Sequence, residues 1–175
     1  MAGAPPHGIL LLASGTLYWQ DGGWTHSYRT DGTGGVVQAA SDGDIPGASD
    51  FNLAVDATTL YQIASGSTTA LDATLLTGGN SIRLATATDA GTAWGLAVDA
   101  AHVYWGHDRY NRATGAMSWA IERSDKTPGT SMPLVEDPAL ASSMLALDDT
   151  ALYVVATGAS SGAQADGLVV RIPKK

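Results

Sequence analysis

Three stretches decide how this chain is read: LAVDATTLY from Leu53 to Tyr61, LAVDAAHVY from Leu96 to Tyr104, and LALDDTALY from Leu145 to Tyr153. A fourth, degenerate copy is LLLASGTLY from Leu10 to Tyr18, in which Ala13 stands where the others carry Asp56, Asp99 and Asp148. The tyrosines Tyr18, Tyr61, Tyr104 and Tyr153 lie 43, 43 and 49 residues apart. Self-similarity at this period belongs to repeat architectures whose unit is one small sheet. The longer third interval places an insertion in the third repeat.

Each copy reads as an antiparallel hairpin: an apolar triplet, a turn of Asp and small polar residues, then an apolar-aromatic strand. Leu53 and Val55 share one face and Ala54 the other, and both faces are apolar, as in a strand buried on two sides between packed sheets. A third strand is expected at 24–30 in repeat one, 119–124 in repeat three and 168–172 in repeat four, with Arg29, Arg123 and Arg171 in corresponding places. Turns at Thr30-Asp31-Gly32 and Ser124-Asp125-Lys126 lead to expected outer strands at 36–40 and 131–135. Gly34-Gly35 and Gly78-Gly79 precede two of the outer strands. The expected fold class is therefore all-β, a β-propeller or partial propeller of four repeats of four-stranded antiparallel blades. One domain spans 8–175, with repeats at about 8–50, 51–93, 94–142 and 143–175. A three-repeat trefoil fits worse because four copies are visible. A helix over the Ala-rich stretch 139–157 competes, but the β-branched and aromatic content of its sister copies favours strand.

Composition agrees. Fifteen of the 17 acidic residues are Asp, only Glu122 and Glu136 are Glu, and there are 21 glycines against nine Lys and Arg. Asp and Gly favour turns, whereas Glu and Lys fill helix surfaces. A net charge of −8 repels phosphate backbones, so nucleic acid is not an expected partner. No apolar window is long enough to span a membrane, so no membrane insertion is expected, and MAGAPPHG lacks the features of a secretory signal. The absence of cysteine excludes disulfides and thiolate metal sites.

The hairpin pattern L-A-V-D-x-x-x-V-Y-W, clearest from Leu96 to Trp105, resembles the repeats of YWTD-type and NHL-type propellers, and most of all the V-Y-W repeat propellers of exported bacterial proteins. The resemblance covers 8–175, and the segments at Arg29, Arg123 and Arg171 match the third strand of such repeats. It implies an extracellular or periplasmic protein whose ring is a rigid platform for binding a protein or carbohydrate ligand, with hydrolases or lyases a minority class. Such rings close with six to eight blades. The fourth repeat stops before an outer strand, so the chain resembles a piece of a longer ring, a half that a homodimer would complete, or a small closed ring.

Asp56, Asp99 and Asp148 allow two readings: a ring of carboxylates holding a cation, or caps on their own hairpin turns. The acidic loop from Ser41 to Asp50 has carboxylates for calcium, but Pro46 and the lack of a Glu at Leu53 leave an inter-blade loop as the simpler reading. Gly158-Ala-Ser160-Ser-Gly162 matches the G-x-S-x-G elbow of hydrolases, yet no helix follows and all four histidines precede Ser160. His102 and His107 are separated by five extended residues, roughly 16 Å, on opposite faces, which one metal cannot bridge. No metal site and no cofactor are expected.

The segment Gly106–Arg112, extending toward Trp119, is the expected binding loop, with His107, Arg109, Tyr110 and Arg112 as ligand-binding candidates. Arg and Tyr supply the hydrogen bonds and stacking surface that dominate recognition sites. The competing reading is that the segment covers a neighbouring blade while its arginines pair with aspartates. Trp19 and Trp105 lie in the hairpin and are expected to pack between blades. Trp24 and Trp94 lie outside it and are the freer candidates for stacking a sugar.

Overall fold

The computed structural model describes residues 10–21, 24–33, 37–41, 53–64, 68–87, 93–111, 113–137, 142–156 and 167–174. Every regular element among them is a strand, arranged in four separate antiparallel sheets. The first sheet holds β1 (Leu10–Ala13), β2 (Thr16–Asp21), β3 (Trp24–Arg29) and β4 (Val37–Ser41). The second holds β5 (Leu53–Val55), β6 (Thr59–Ala64), β7 (Thr69–Leu75) and β8 (Ile82–Ala87). The third holds β9 (Ala93–Val98), β10 (His102–Asn111), β11 (Ala116–Asp125) and β12 (Met132–Asp137). The fourth holds β13 (Ser142–Leu147), β14 (Ala151–Ala156) and β15 (Leu168–Pro173). Within each sheet the strands are neighbours in chain order, a simple meander. The stretch 142–156 is a hairpin, not a helix.

The hairpin turns explain the repeated aspartate. In repeats two, three and four the Asp carboxylate accepts from the amides two and three residues on: Thr58 and Thr59 for Asp56, Ala101 and His102 for Asp99, Thr150 and Ala151 for Asp148. Its other oxygen accepts from the repeat tyrosine: Tyr61 at 2.9 Å, Tyr104 at 3.0 Å and Tyr153 at 2.7 Å. The first repeat has Ala13 instead and closes by another route. Ser14 and Gly15 have φ of 48° and 74°, the doubly left-handed turn whose twist suits a two-residue hairpin.

Two expectations need correcting. Arg123 and Arg171 do pair across from the repeat tyrosines Tyr104 and Tyr153, but Ser27 is the partner of Tyr18, and Arg29 lies two residues further on, opposite Thr16. The third-repeat insertion is not a loop: it lengthens β10 and β11, which stay paired from His102↔Asp125 to Asn111↔Ala116. Cross-strand hydrogen bonds satisfy the added backbone groups, so a longer hairpin costs less than an unpaired loop.

The sheets pack face to face in chain order. β1 contacts β5, β5 and β6 contact β9, and β9 contacts β13, so the first strands of successive sheets stand in file. Between the second and third sheets lie Tyr61, Ile63, Leu71, Leu96, Val103 and Trp105. Trp94, Tyr104, Ile121, Leu152 and Val154 fill the space between the third and fourth, and Tyr18, Leu53 and Leu60 that between the first and second. Each large side chain so buried contributes about 1.5–3 kcal/mol before the loss of conformational entropy offsets it.

Close approach is managed at two glycines. Gly95 has a φ of 68° and lies where the β9–β10 register slips, with Leu145 of the fourth sheet against it. Gly106 faces the Trp94 ring so closely that a Cβ there would overlap it. A second slip recurs in three sheets: the pairing of third and fourth strands shifts beside His26, Asp72 and Glu122, leaving Ala39, Leu84 and Leu134 unpaired. His26, Asp72 and Glu122 each precede the residue opposite a repeat tyrosine, so this bulge belongs to the repeat. Bulges bend a strand and re-aim its side chains.

Candidate functional site

Two members of that bulge row, Leu84 and Glu122, line a polar concavity. A cleft of about 560 Å³ opens between β8 of the second sheet and the β11–β12 connection of the third, lined among others by Arg83, Thr86, His107, Arg109, Glu122 and Ser131. One lip is fixed by the backbone, since the Gly129 amide donates to the Leu84 carbonyl at 2.9 Å. The other wall is a network centred on Glu122, which is buried in β11. Arg109 donates to Glu122 at 2.6 Å and to Glu136 at 3.0 Å, and Ser118 donates to Glu136 at 2.7 Å. Ser131 donates to the second oxygen of Glu122. Across the cleft Arg83 is paired with Asp72 at 3.0 Å.

His107 is buried beside the Trp105 ring, with centroids 5.0 Å apart. Its Nδ1 lies 2.9 Å from the Asp108 carbonyl, which can only accept, so Nδ1 carries a proton. Nε2 is 3.1 Å from a carboxylate oxygen of Glu122, within ion-pair distance when the ring is protonated. Burial pushes the Glu122 carboxyl up, yet contacts from His107, Ser131 and Arg109 outweigh it and hold the group at about 2. A carboxylate so firmly ionised is a weak proton acceptor. Ser131 points at it rather than at the imidazole, so Ser131, Glu122 and His107 do not form a nucleophile with its base. The arrangement is one of positioned donors and acceptors.

Of the six residues singled out by sequence, His107 and Arg109 reach this cleft. Tyr110 is exposed near the end of the long hairpin, across from Met117. Trp94 does not stand free: it is buried against Trp119, centroids 5.5 Å apart, in the space that Gly106 leaves open. Trp24 begins β3, and its side chain lies outside the described residues. Arg112, the acidic loop 42–50 and Ser160 with its flanking residues also lie outside them. Asp56, Asp99 and Asp148 are occupied as turn caps. Burial raises Asp56 and Asp99, but hydrogen bonds from Lys126 to Asp56, from the turn amides and from the tyrosines hold both well below the usual carboxylate range. For Asp148 the bonds from Tyr153 and Thr150 do the same.

Glu122, Arg83 and Ser131 escaped the sequence reading. A signal existed: the chain has two glutamates among 17 acidic residues, and both bind Arg109. The added methylene gives a reach across strands that Asp lacks. No protein-family model matches the chain, and no curated protein matches it significantly.

Proposed function

We propose that this chain is a β-propeller-type segment acting as a non-enzymatic binding platform for a neutral, hydroxyl-rich ligand, a glycan, held in the cleft between the second and third sheets. The propeller reading is supported by the meander in every sheet, the bulge that recurs in three of them and the first strands standing in file. The ligand reading rests on one observation: the guanidinium groups lining the cleft are already neutralised from within, Arg83 by Asp72 and Arg109 by Glu122 and Glu136. An anion would have to compete with those carboxylates. A sugar hydroxyl, donor and acceptor at once, completes their remaining hydrogen bonds without disturbing the balance.

Calorimetric titration against a panel of neutral oligosaccharides tests this. Binding is expected, and Arg83→Ala, at an exposed position, should weaken it at least tenfold without changing the circular dichroism spectrum. Absence of binding across the panel, or binding indifferent to Arg83, would sink the proposal.

A further inference from the structure

Among the described residues, the two sheets at the ends of the file each have one face that no other sheet covers, and the internal junctions reveal what such faces are made to meet. At the junction of the second and third sheets, Tyr61, Ile63 and Leu71 pack against Leu96, Val103 and Trp105. The strand registers assign every one of these a counterpart in the other sheets. On the fourth sheet the counterparts of Tyr61, Ile63 and Leu71 are Tyr153, Val155 and Val169. Ile63 and Leu71 are both 0% exposed, whereas Val155 is 42% and Val169 64% exposed. On the first sheet the counterparts of Leu96, Val98, Val103 and Trp105 are Leu10, Leu12, Leu17 and Trp19, with Leu10 and Leu12 at 65% and 66%. The fourth sheet thus presents one half of an internal junction and the first sheet presents the other.

A polar lock repeats with the packing. Lys126, the residue after β11, donates to Asp56 of the preceding sheet at 2.6 Å and lies over the Tyr61 ring. Lys174, the residue after β15, stands 3.0 Å from Asp99 and lies over Tyr104. The first junction has an apolar version, in which Leu76, the residue after β7, packs in one cluster with Ala13 and Tyr18. Asp148 and Tyr153 form the same acceptor on the fourth sheet, and among the described residues no cation is paired with Asp148. The corresponding residue after β3 is Thr30, exposed beside Arg29.

From this we infer that the chain associates head to tail with a second copy of itself, the free face of the fourth sheet receiving the free face of the first sheet of its partner in the manner of the second-to-third junction. A heterologous contact of this kind closes into a ring or propagates, according to the rotation it imposes. It involves no residue of the cleft wall, so it stands or falls independently of the glycan reading.

Light scattering on a sizing column, with the intact chain over a range of concentrations, tests the inference. The expected mass is a multiple of the 17.9 kDa chain. Leu12→Arg and Val169→Arg alter side chains that are exposed in the single chain, so both should fold, as checked by circular dichroism, and each alone should be monomeric. Mixed together they should form a one-to-one complex, because each keeps the face the other has lost. Thr30→Lys should tighten the wild-type association at least tenfold, and Asp148→Asn should remove that gain. A wild-type chain that stays monomeric at every concentration would overturn the inference, as would a Leu12→Arg variant that stays assembled or a mixture that does not combine. A gain from Thr30→Lys that survives Asp148→Asn would overturn the placement of Thr30 against Asp148.

Discussion

Lys126 reaches across a sheet junction to place its ammonium 2.6 Å from the carboxylate of Asp56, which is already capping its own hairpin turn. One side chain therefore shapes a turn and anchors the next sheet. Lys174 and Asp99 repeat the relationship one sheet further on.

Lys126→Met should lower stability by only about 1 kcal/mol, because the pair is part-exposed and the methionine keeps the apolar stem over Tyr61. Asp56→Ala should cost more, about 2–3 kcal/mol, since the turn amides and the Tyr61 hydroxyl lose a charged acceptor as well. Urea denaturation of the two single variants and the double variant measures both costs and the coupling between them.

Acid should unfold the protein through these same carboxylates. Asp56, Asp99, Asp148 and Glu122 all have folded values below their ordinary ones. The unfolded chain therefore takes up protons first as pH falls. Their stabilisation is full above about pH 5, declines as pH drops through about 4, and is lost once the folded values are passed. A urea midpoint that stays constant from pH 6 to pH 2 would contradict this.

The alkaline limb has the opposite sign. Burial, together with the bond to the aspartate, raises Tyr61 and Tyr104 to about 12. The unfolded chain loses those protons near 10, so stability should fall as pH rises from about 10 to 12. An ultraviolet titration of phenolate should show Tyr61 and Tyr104 ionising late, and Asp99→Asn should move Tyr104 earlier.

Gly106→Ala should destabilise by about 1–3 kcal/mol, because the new methyl displaces the Trp94 ring from a packed junction. Gly95→Ala should be at least as costly, combining a left-handed backbone with contact against Leu145. Gly115→Ala is the control: its φ is also positive, but nothing lies within 4 Å, so only the backbone penalty of about 1 kcal/mol remains. Thermal melts of the three rank them.

The repeats were legible because a hairpin writes itself into adjacent residues: an Asp cap, a tyrosine five positions on that bonds to it, and apolar strands on either side. The all-β character and the positions of the third strands followed. Arg29 misled because identity was read without register, and only the pairing of Ser27 with Tyr18 reveals the two-residue offset. The long β10–β11 hairpin looked like a loop because its added residues are polar, whereas what makes it a strand is pairing with a distant segment. Trp94 looked free because the room it occupies is made by Gly106, twelve residues away. The cleft was half visible: His107 and Arg109 stood out, but Glu122 and Arg83 gain meaning from bulges that no local pattern announces. The lysine lock had left a trace, since two of the three lysines stand three residues after Arg123 and Arg171.

Among the described residues strands pair with one another only within a sheet, and each sheet packs chiefly on its neighbours in the chain. The molecule is thus a one-dimensional array, whose free energy is close to a sum of units and nearest-neighbour couplings. Ordering can begin at the second-to-third junction, where the largest apolar cluster lies, and spread outward, with no long chain closure to wait for. In the single chain the end units, each coupled on one side only, melt first, so amide exchange of a monomeric variant should be slowest in β6 and β10 and fastest in β1 and β15.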